Sequence, residues 1–294
     1  MKTINALTLL LGALLIASLP SCKKDPIGTY SPKKKIQKIF VSMPKVEKIP
    51  YQDWEWNDKQ LNTITHYTSH GQAWVEQFTY ENNRIARVDN YTESEYLTYN
   101  YDGDRLKSVT VYYRNVIVCT WAVTYTDKKI SKLAGTIYDD YYKKDGAEMH
   151  LDPLAHLFPT NVCERIELCR QQQATQRRAD DTYTINLLLT WEGDNISKII
   201  YTGEGDYVSF ELEYDNQHCP MYGLLGSLED YIYDFTYGHT CFSKNNATRI
   251  ISKEGHEADT LCFAYQYDAD GYPLLQTAYF TDEPDEKNVL YYEY

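Results

Sequence analysis

The sequence predicts an all-β protein: a curved antiparallel sheet of consecutive β-hairpin repeats, with a short helix or an irregular insert. Three observations predict this fold: a unit of about 21 to 24 residues that recurs along the chain, period-2 alternation within the units, and 29 tyrosines against 8 phenylalanines. Tyrosine favours strands and half-buried positions where its hydroxyl can hydrogen-bond.

The repeated unit consists of an aromatic residue, a polar turn and two aliphatic residues three positions apart. In one copy Tyr101 precedes the turn, and Leu106 and Val109 follow it. Side chains three apart on a flat strand point to opposite faces, so we expect a bulge or twist in every unit. The equivalent aromatic residues are Trp56, Tyr80, Tyr101, Tyr125, Trp191 and Tyr267, with degenerate copies starting at Tyr214 and Tyr237.

Alternation predicts the strands between the turns. Apolar residues occupy every second position along residues 185–191 and 208–214, with mostly polar residues between them. This period of 2 turns one face of each strand toward a core. Residues 149–178 break the pattern, and residues 221–231 are compatible with a short helix. Such a helix would cap one end of the sheet, since open repeat arrays need a polar cap.

Residues 1–21 are typical of a signal peptide that ends at a lipidation site. Lys2 supplies a positive charge, residues 6–19 are apolar, and Leu19-Pro20-Ser21-Cys22 forms the cleavage site. The apolar run is shorter than the ~20 residues of a membrane-spanning helix. We therefore expect Cys22 to carry the lipid that anchors the mature protein in a bilayer. The alternative is an ordinary secretory signal with a chance cysteine.

The mature chain divides at about residue 50. Residues 22–50 contain three consecutive lysines and several prolines and show little periodicity, which predicts a flexible tether. Residues 51–294 form the repeat domain. Lys23 rather than an aspartate follows Cys22, so we expect sorting to the outer membrane, on either its periplasmic or its cell-surface face.

Six further cysteines remain after Cys22. An even number in an exported protein allows up to three disulfides, and buried free thiols are the alternative. No Cys-x-x-Cys pair typical of a zinc site occurs. The six are Cys119, Cys163, Cys169, Cys219, Cys241 and Cys262.

The Tyr-Asp-x-x-Gly unit, clearest at residues 267–274 and 101–109, resembles the YD repeats of Rhs-type proteins. The region 51–294 is similar to an uncharacterised family of lipoproteins from gut anaerobes with degenerate YD-like repeats, and residues 214–223 and 243–246 are similar to that family's C-terminal pattern. The resemblance implies an antiparallel sheet of successive hairpins in an exported, lipid-anchored protein. It implies no activity.

Several function classes are disfavoured by the sequence. A net charge of −13 would repel the phosphates of nucleic acid. We find no phosphate-binding glycine loop and no nucleophile elbow, so we expect no cofactor and no enzymatic activity. His66 and His70 have the spacing of a helical metal pair, but the alternation predicts a strand or loop there. The turns 102–104 and 268–271 resemble half a calcium loop and are better explained as hairpin turns.

Pairs of adjacent tyrosines keep a binding role open, because one ring of each pair must point to each face of a sheet. The outward ring could stack on a sugar, although tyrosine as a simple strand former is the alternative. Asp259-Thr260-Leu261 also resembles a short O-glycosylation signal of gut anaerobes, with Thr260 as its acceptor. The candidate stacking residues are Tyr112, Tyr113, Tyr141, Tyr142, Tyr291 and Tyr292.

These observations predict a non-enzymatic envelope lipoprotein whose β-repeat surface binds a glycan or a partner envelope protein. Tyrosine offers a large contact area at low entropic cost. One alternative is a structural or assembly component of the envelope without a small ligand. The other is a polysaccharide hydrolase, which would need two carboxylates held in a cleft.

Overall fold

The computed structural model describes residues 27–67, 73–90, 95–138, 182–203, 207–225, 241–255 and 257–294. The predictions made for residues 1–21, Cys22, Tyr141, Tyr142 and residues 149–178 lie outside this part of the chain. The strands are β1 (Lys38–Met43), β2 (Val46–Asn57), β3 (Gln60–Tyr67), β4 (Ala73–Glu81), β5 (Arg84–Asn90), β6 (Glu95–Asp102), β7 (Arg105–Tyr113), β8 (Val116–Thr126), β9 (Lys129–Ile137), β10 (Tyr183–Glu192), β11 (Asn195–Thr202), β12 (Tyr207–Tyr214), β13 (Ala247–Glu254), β14 (Glu257–Tyr267), β15 (Pro273–Phe280) and β16 (Asn288–Glu293).

The strands form one closed antiparallel barrel in which each pairs with its neighbours in sequence. The ring closes where β1 pairs with β16, with Ile39 opposite Tyr292 and Val41 opposite Leu290. The all-β prediction is confirmed, and the prediction of an open curved sheet is wrong. Closure removes both sheet edges, so no cap is needed. Residues 221–225 form turns rather than the start of a helix.

Residues 27–50 belong to the barrel and not to a flexible tether. Ile36 is fully buried, and Ile39 and Val41 of β1 line the core. The lysines and prolines that suggested a solvated linker occupy the approach to β1, where Lys34 and Lys35 reach carboxylates, a backbone carbonyl and aromatic rings of the barrel. None of the described segments is a helix long and apolar enough to cross a membrane.

The bulge expected in every unit is present in seven hairpins. The register shifts immediately before Trp56, Tyr80, Tyr101, Tyr125, Trp191, Tyr214 and Tyr267. The extra residue brings both following aliphatics to the interior, as Leu106 and Val109 show with 0% and 1% exposure. The repeat therefore encodes the same bend at one end of each hairpin. We call this end, which carries the repeat turns, the turn end, and the opposite end the loop end.

Aromatic residues at the turn end join several hairpins to the strand or segment before them. Tyr101 donates its hydroxyl to the carbonyl oxygen of Ile85 at 2.6 Å, and Trp191 donates its indole N–H to that of Ile130 at 2.6 Å. Burial raises the pKa of Tyr125 to about 12, so its hydroxyl stays protonated and donates to Leu106. We call this repeated contact the clasp. It also joins Trp56 to Ile36, Tyr265 to Ala247 and Tyr294 to Pro273.

A basic residue strengthens several of these junctions. The guanidinium of Arg84 lies 4.2 Å from the ring centroid of Tyr101 and donates to the carbonyl oxygen of Gly103 at 2.6 Å. Arg105 makes the same pair of contacts with Tyr125 and Asp127 one hairpin further on. In these two units the basic residue just before the first aliphatic thus contacts the aromatic ring and the turn of the next hairpin. This contact explains why the basic residue and the aromatic residue recur together.

Two chain segments occupy the interior of the barrel at its turn end. The sixteen strands of the described residues enclose more space than side chains alone can fill, and barrels of this size otherwise hold a channel. Here an N-terminal segment, residues 27–36, meets an inner loop, residues 215–225 and 241–246, where the Tyr30 hydroxyl donates to Pro220 at 2.8 Å. The inner loop buries Cys219, Met221, Leu224, Leu225, Cys241 and Phe242.

The outer face of the barrel carries charged side chains that pair across neighbouring strands. Lys253 contacts Glu211 at 2.8 Å, Lys198 contacts the same carboxylate at 3.7 Å, and Arg249 contacts Glu213 at 3.2 Å. Membrane-spanning barrels instead present an outward-facing apolar band about 25 Å tall to the lipid. In this barrel apolar side chains line the interior, and these charged pairs lie on the outer face.

Four described cysteines are reduced thiols, which favours the thiol alternative over disulfides for these positions. Cys163 and Cys169 lie outside the described residues. Burial raises the pKa of Cys219 to about 12 and that of Cys241 well above its ordinary value. Both thiols therefore stay protonated at neutral pH inside the inner loop.

Candidate functional site

The structure separates the rings of the two described tyrosine pairs, as the strand period requires. Tyr113 and Tyr292 are buried inside the barrel, with 4% exposure each. Their neighbours Tyr112 and Tyr291 lie on the outer face and are half-buried. Of the described candidates, Tyr112 and Tyr291 are therefore the ones placed to stack on a sugar outside the barrel.

Both outer tyrosines already contact other side chains. Tyr112 stacks on Tyr96 with ring centroids 4.5 Å apart and planes 11° apart. Arg87 covers Tyr96 at 3.7 Å from the ring centroid. The ammonium of Lys48 lies 4.8 Å from the centroid of Tyr291. These contacts use ring faces that a sugar would need.

The remaining sequence candidates fall in different places. Thr260 lies in β14 on the outer face, half-buried, where its carbonyl accepts from the N–H of Thr281. His66 is buried in β3, whereas His70 lies outside the described residues. The 268–271 turn carries no metal ligand set; Asp268 and Asp270 bind Lys34 at 2.5 and 2.7 Å.

A contiguous group of buried polar side chains lines one sector of the barrel toward the loop end. It consists of Gln52, His66, Glu76, Asn90 and Glu95, all with 3% exposure or less. The strand register places them side by side: Gln52 faces His66, and Asn90 faces both Glu76 and Glu95. We call this group the polar wall.

The internal repeat shows that the polar wall departs from the barrel's usual lining. Four residues before its aromatic, the unit of Tyr80 has Glu76, whereas that of Tyr101 has Leu97. Five residues after their first aliphatics, the same two hairpins have Asn90 and Val111. Other hairpins fill the corresponding register with Trp121 and Gly135, Leu187 and Tyr201, Phe210 and Ser252, or Phe263 and Ala278.

A chain of hydrogen bonds orients the histidine of the wall. Trp54, whose indole can only donate, bonds Gln52 Oε1 at 3.0 Å. The Gln52 amide N–H₂ therefore faces His66 Nδ1, at 3.4 Å, and donates to it. In the neutral ring the proton then resides on Nε2. That atom points at a carboxylate oxygen of Glu76, 3.6 Å away.

An aromatic ring supports this arrangement. Trp74 stacks on His66 with ring centroids 4.6 Å apart and planes 3° apart. The imidazole is thus held between an indole face, an amide and a carboxylate. Its position is fixed by three neighbouring strands, β2, β3 and β4, and so does not depend on a surface loop.

The polar wall needs compensating partners that an apolar lining does not need. Burying carboxylates such as Glu76 and Glu95 costs several kcal/mol unless partners compensate, and an aliphatic pair at the same place stabilises a barrel without that cost. The repeat itself shows that such a pair fits, since Leu97 and Val111 occupy the next hairpin. A departure from the repeat in one sector of a regular scaffold is typical of a functional site.

The wall offers hydrogen-bonding chemistry rather than a metal centre. Among the described residues, no three His, Cys, Asp or Glu side chains lie together in a way that could hold a metal ion. The carboxylates of Glu76 and Glu95 accept hydrogen bonds, and the amides of Gln52 and Asn90 both accept and donate. Such a set suits a ligand rich in hydroxyl or amine donors.

From the sequence, His66 was a candidate only as a metal ligand, and the other four wall residues were not candidates. The signal was present in the repeat. Aligning the hairpins on their aromatic residues puts Gln52, Glu76 and Leu97 at one position, and the two polar residues then stand out. Single strands do not reveal this, because isolated polar residues at alternating positions look solvent-facing.

The fold has counterparts among solved structures. A porin-like protein from Bacteroides uniformis matches with a TM-score of 0.51 and 9% identity, covering 90% of this chain and 99% of that chain. A porin-like protein from Bacteroides vulgatus matches with a TM-score of 0.35 and 10% identity, covering 88% and 98%. The TcdB2–TccC3 structure matches with a TM-score of 0.31 and 11% identity, covering 82% of this chain and 12% of that one.

No protein-family model and no curated protein sequence matches the chain. At 9% identity the match to the Bacteroides uniformis protein shows a shared barrel fold alone. Function must therefore be argued from the residues of this chain.

Proposed function

We propose that this protein is a non-enzymatic binding protein of the bacterial cell envelope, and that its ligand is a glycan held at the polar wall. The observation that carries the proposal is the replacement of the repeat's apolar lining by Gln52, His66, Glu76, Asn90 and Glu95 in adjacent strands. Tyr112 and Tyr291 on the outer face become a secondary contact area.

A short glycan segment fits the chemistry of the wall. Sugar hydroxyls donate hydrogen bonds, and the carboxylates and amide oxygens of the wall accept them. Partly apolar sites with a few placed polar groups are typical of small-molecule binding, and the wall adjoins the apolar residues Trp54 and Trp74. A ligand enters from the loop end, since the N-terminal segment and the inner loop occupy the turn end.

The envelope location rests on the signal and lipidation site that end at Cys22. A barrel whose outer face pairs Lys253 and Arg249 with glutamates cannot hold itself in a bilayer, so a lipid on Cys22 supplies the attachment. A porin-like protein shares the fold, and we propose that here the fold serves as a water-facing container on the outer membrane.

Cell fractionation tests the anchor. Cys22→Ala should release the protein from the membrane fraction or block signal cleavage. A variant that stays membrane-bound and is processed normally would contradict the lipid anchor and leave the barrel chemistry untouched.

A glycan array followed by calorimetry tests the ligand, using the mature chain with Cys22→Ala to keep it out of membranes. Glu76→Gln keeps the shape of the side chain and removes its charge, so we expect at least about tenfold weaker binding, as losing a charged hydrogen bond costs about 1.5 to 3 kcal/mol. Glu211→Gln on the outer face is the matched control and should bind normally.

The outcomes separate the alternatives. Loss of binding in Glu76→Gln but not in Glu211→Gln supports the proposal. Cleavage of any glycan by the purified protein would replace it with the hydrolase alternative. Absence of binding across the array, or equal binding by both variants, would leave an envelope component without a ligand at the wall.

A further inference from the structure

The N-terminal segment is fastened to the turn end of the barrel. The carbonyl of Gly28 accepts from the N–H of Ile85 at 3.0 Å, and the backbone at Gly28 has a φ of 87° that allows it to pass against the Tyr101 ring. Tyr30 is buried with 2% exposure and stacks on Trp56 at 5.7 Å. These contacts fix where the chain enters the barrel.

Further contacts follow along the same segment. Lys34 bonds Asp268 and Asp270 in the β14–β15 turn, and Lys35 donates to the carbonyl of Asp58 in the β2–β3 turn. Ile36 then receives the clasp of Trp56. From Gly28 to Ile36 the segment contacts turns and strand ends of the turn end, so it behaves as a part of that end.

The reach of the preceding residues is short. Cys22 stands five residues before Ile27, and a fully extended chain spans at most about 3.6 Å per residue, or about 18 Å in all. Most of the described strands have 8 to 12 residues. With a rise of about 3.3 Å per residue and a tilt of about 40°, they make the barrel roughly 20 to 30 Å tall. A lipid at Cys22 therefore reaches the turn end easily and the loop end not at all.

We propose that the turn end of the barrel is its membrane-facing surface, and that its partner there is the lipid headgroup layer. The loop end, with the polar wall beneath it, points away from the bilayer. This orientation rests on the proposed lipidation of Cys22 and is independent of which ligand the wall binds.

Site-specific photo-cross-linking to lipid tests the orientation. The full lipidated protein is reconstituted on vesicles of phosphatidylethanolamine and phosphatidylglycerol, with a benzophenone amino acid replacing one exposed lysine at a time. Lys59 and Lys128 lie in turns of the turn end, and Lys45 and Lys287 lie at the loop end. We expect several-fold more lipid adducts from the first two positions.

A second variant tests the cause. Inserting a long Gly-Ser stretch after Lys24 lengthens the tether and should equalise the adducts at the two ends. Equal adducts without the insertion, more adducts at the loop end, or no adducts at either end would each overturn the orientation. Ligand binding, measured on the Cys22→Ala protein, is unaffected by these outcomes, so the two proposals fail separately.

Discussion

The hairpins β4–β5 and β6–β7 are built alike at the turn end and differently toward the loop end. Both begin their bulge at a tyrosine, Tyr80 or Tyr101, and both place aliphatics after the turn. Two residue pairs further along the strands, one hairpin faces Glu76 with Asn90 and the other faces Leu97 with Val111. The turn end is thus built in the same way in both hairpins. The hairpins differ in the residues that line the barrel interior toward the loop end.

This difference suggests that the turn-end half and the loop-end half of each hairpin have different roles. The clasp and the bulge keep every hairpin in register, and this leaves the interior positions of the loop-end half tolerant of exchange. A polar lining in one sector is then supported by a mainly apolar lining in the others, of which Leu187 and Tyr201 are an example with 0% exposure each. The proposed binding site and the contacts that fix the register lie in different layers of the same hairpins.

The largest effect should come from copying the polar wall into the apolar sector. Leu187→Glu puts a carboxylate where the repeat aligns with Glu76, but without the surroundings of the wall. Burying an unpaired charge costs several kcal/mol, so we expect a loss of about 3 kcal/mol or more in the free energy of unfolding. Urea denaturation measures it, and a loss under about 1 kcal/mol would show that the two sectors are equivalent.

A smaller effect should come from opening one clasp. Tyr101→Phe removes the hydroxyl that bonds Ile85 and leaves that carbonyl without this donor, at a cost of about 0.5 to 1.5 kcal/mol. Tyr112→Phe on the outer face is the control. It should change the free energy of unfolding by only a small fraction of the cost of Tyr101→Phe. Thermal unfolding of both compares them, and equal effects would contradict a special role for the clasp.

The turn conformation supplies a third test of about 1 kcal/mol. Gly103 has a φ of 56°, and a side chain added there meets no other atom within 4 Å, so any cost comes from the backbone. Asp58 and Asp127 adopt φ of 49° and 57° at the same place in their turns. Gly103→Val should therefore cost about 1 kcal/mol or more, and Gly103→Asn much less. Similar effects of the two would show that the φ is not the cause.

The smallest effect concerns the ion pair that fastens the N-terminal segment. Burial acts to raise the pKa of Asp268, but hydrogen bonds from Lys34 and from the backbone N–H groups of Tyr272 and Asp270 lower it overall. The pKa of Lys34 is raised, chiefly by its hydrogen bonds to the two aspartates. The stabilisation is then complete above the ordinary pKa of an aspartate and is lost as the pH falls through the lowered value.

Limited proteolysis near the N-terminus reports this loss. Cleavage before Ile36 should increase as the pH is lowered below about 4, and Lys34→Ala should cleave faster at neutral pH and show a weaker dependence on acid. An unchanged pH profile in Lys34→Ala would assign the acid sensitivity to other groups.

The hairpins were predictable from the sequence, whereas the closure of the barrel was not, for a physical reason. Aliphatics three apart, such as Leu106 and Val109, determine a bulge locally, so it was predictable from one unit. Closure depends on β1 meeting β16, about 250 residues away, and no local pattern encodes such a pairing. The lysines before β1 resemble a solvated linker because their partners lie in distant turns.

The polar wall was hidden for the same reason. Gln52, His66 and Glu76 come from three strands, and each alone looks like a polar residue on a half-exposed strand. The register of the hairpins, which the bulges shift by one residue, decides that they face inward together. The tyrosine pairs were easier, because adjacent residues must face opposite sides whatever the register.

The clasp also constrains how such a barrel can change in size. Each unit carries one half of two contacts: its aromatic donor reaches a carbonyl of the preceding unit, and the carbonyl after its turn accepts from the aromatic of the next unit, as Ile85 accepts from Tyr101 16 residues later. A duplicated unit would enter the circumference with its bonding complete, whereas a single added strand would leave a donor or a carbonyl unmatched and bring the two closing strands together in parallel. The perimeter of this architecture is therefore counted in hairpins, and gene duplication can widen it only in steps of two strands.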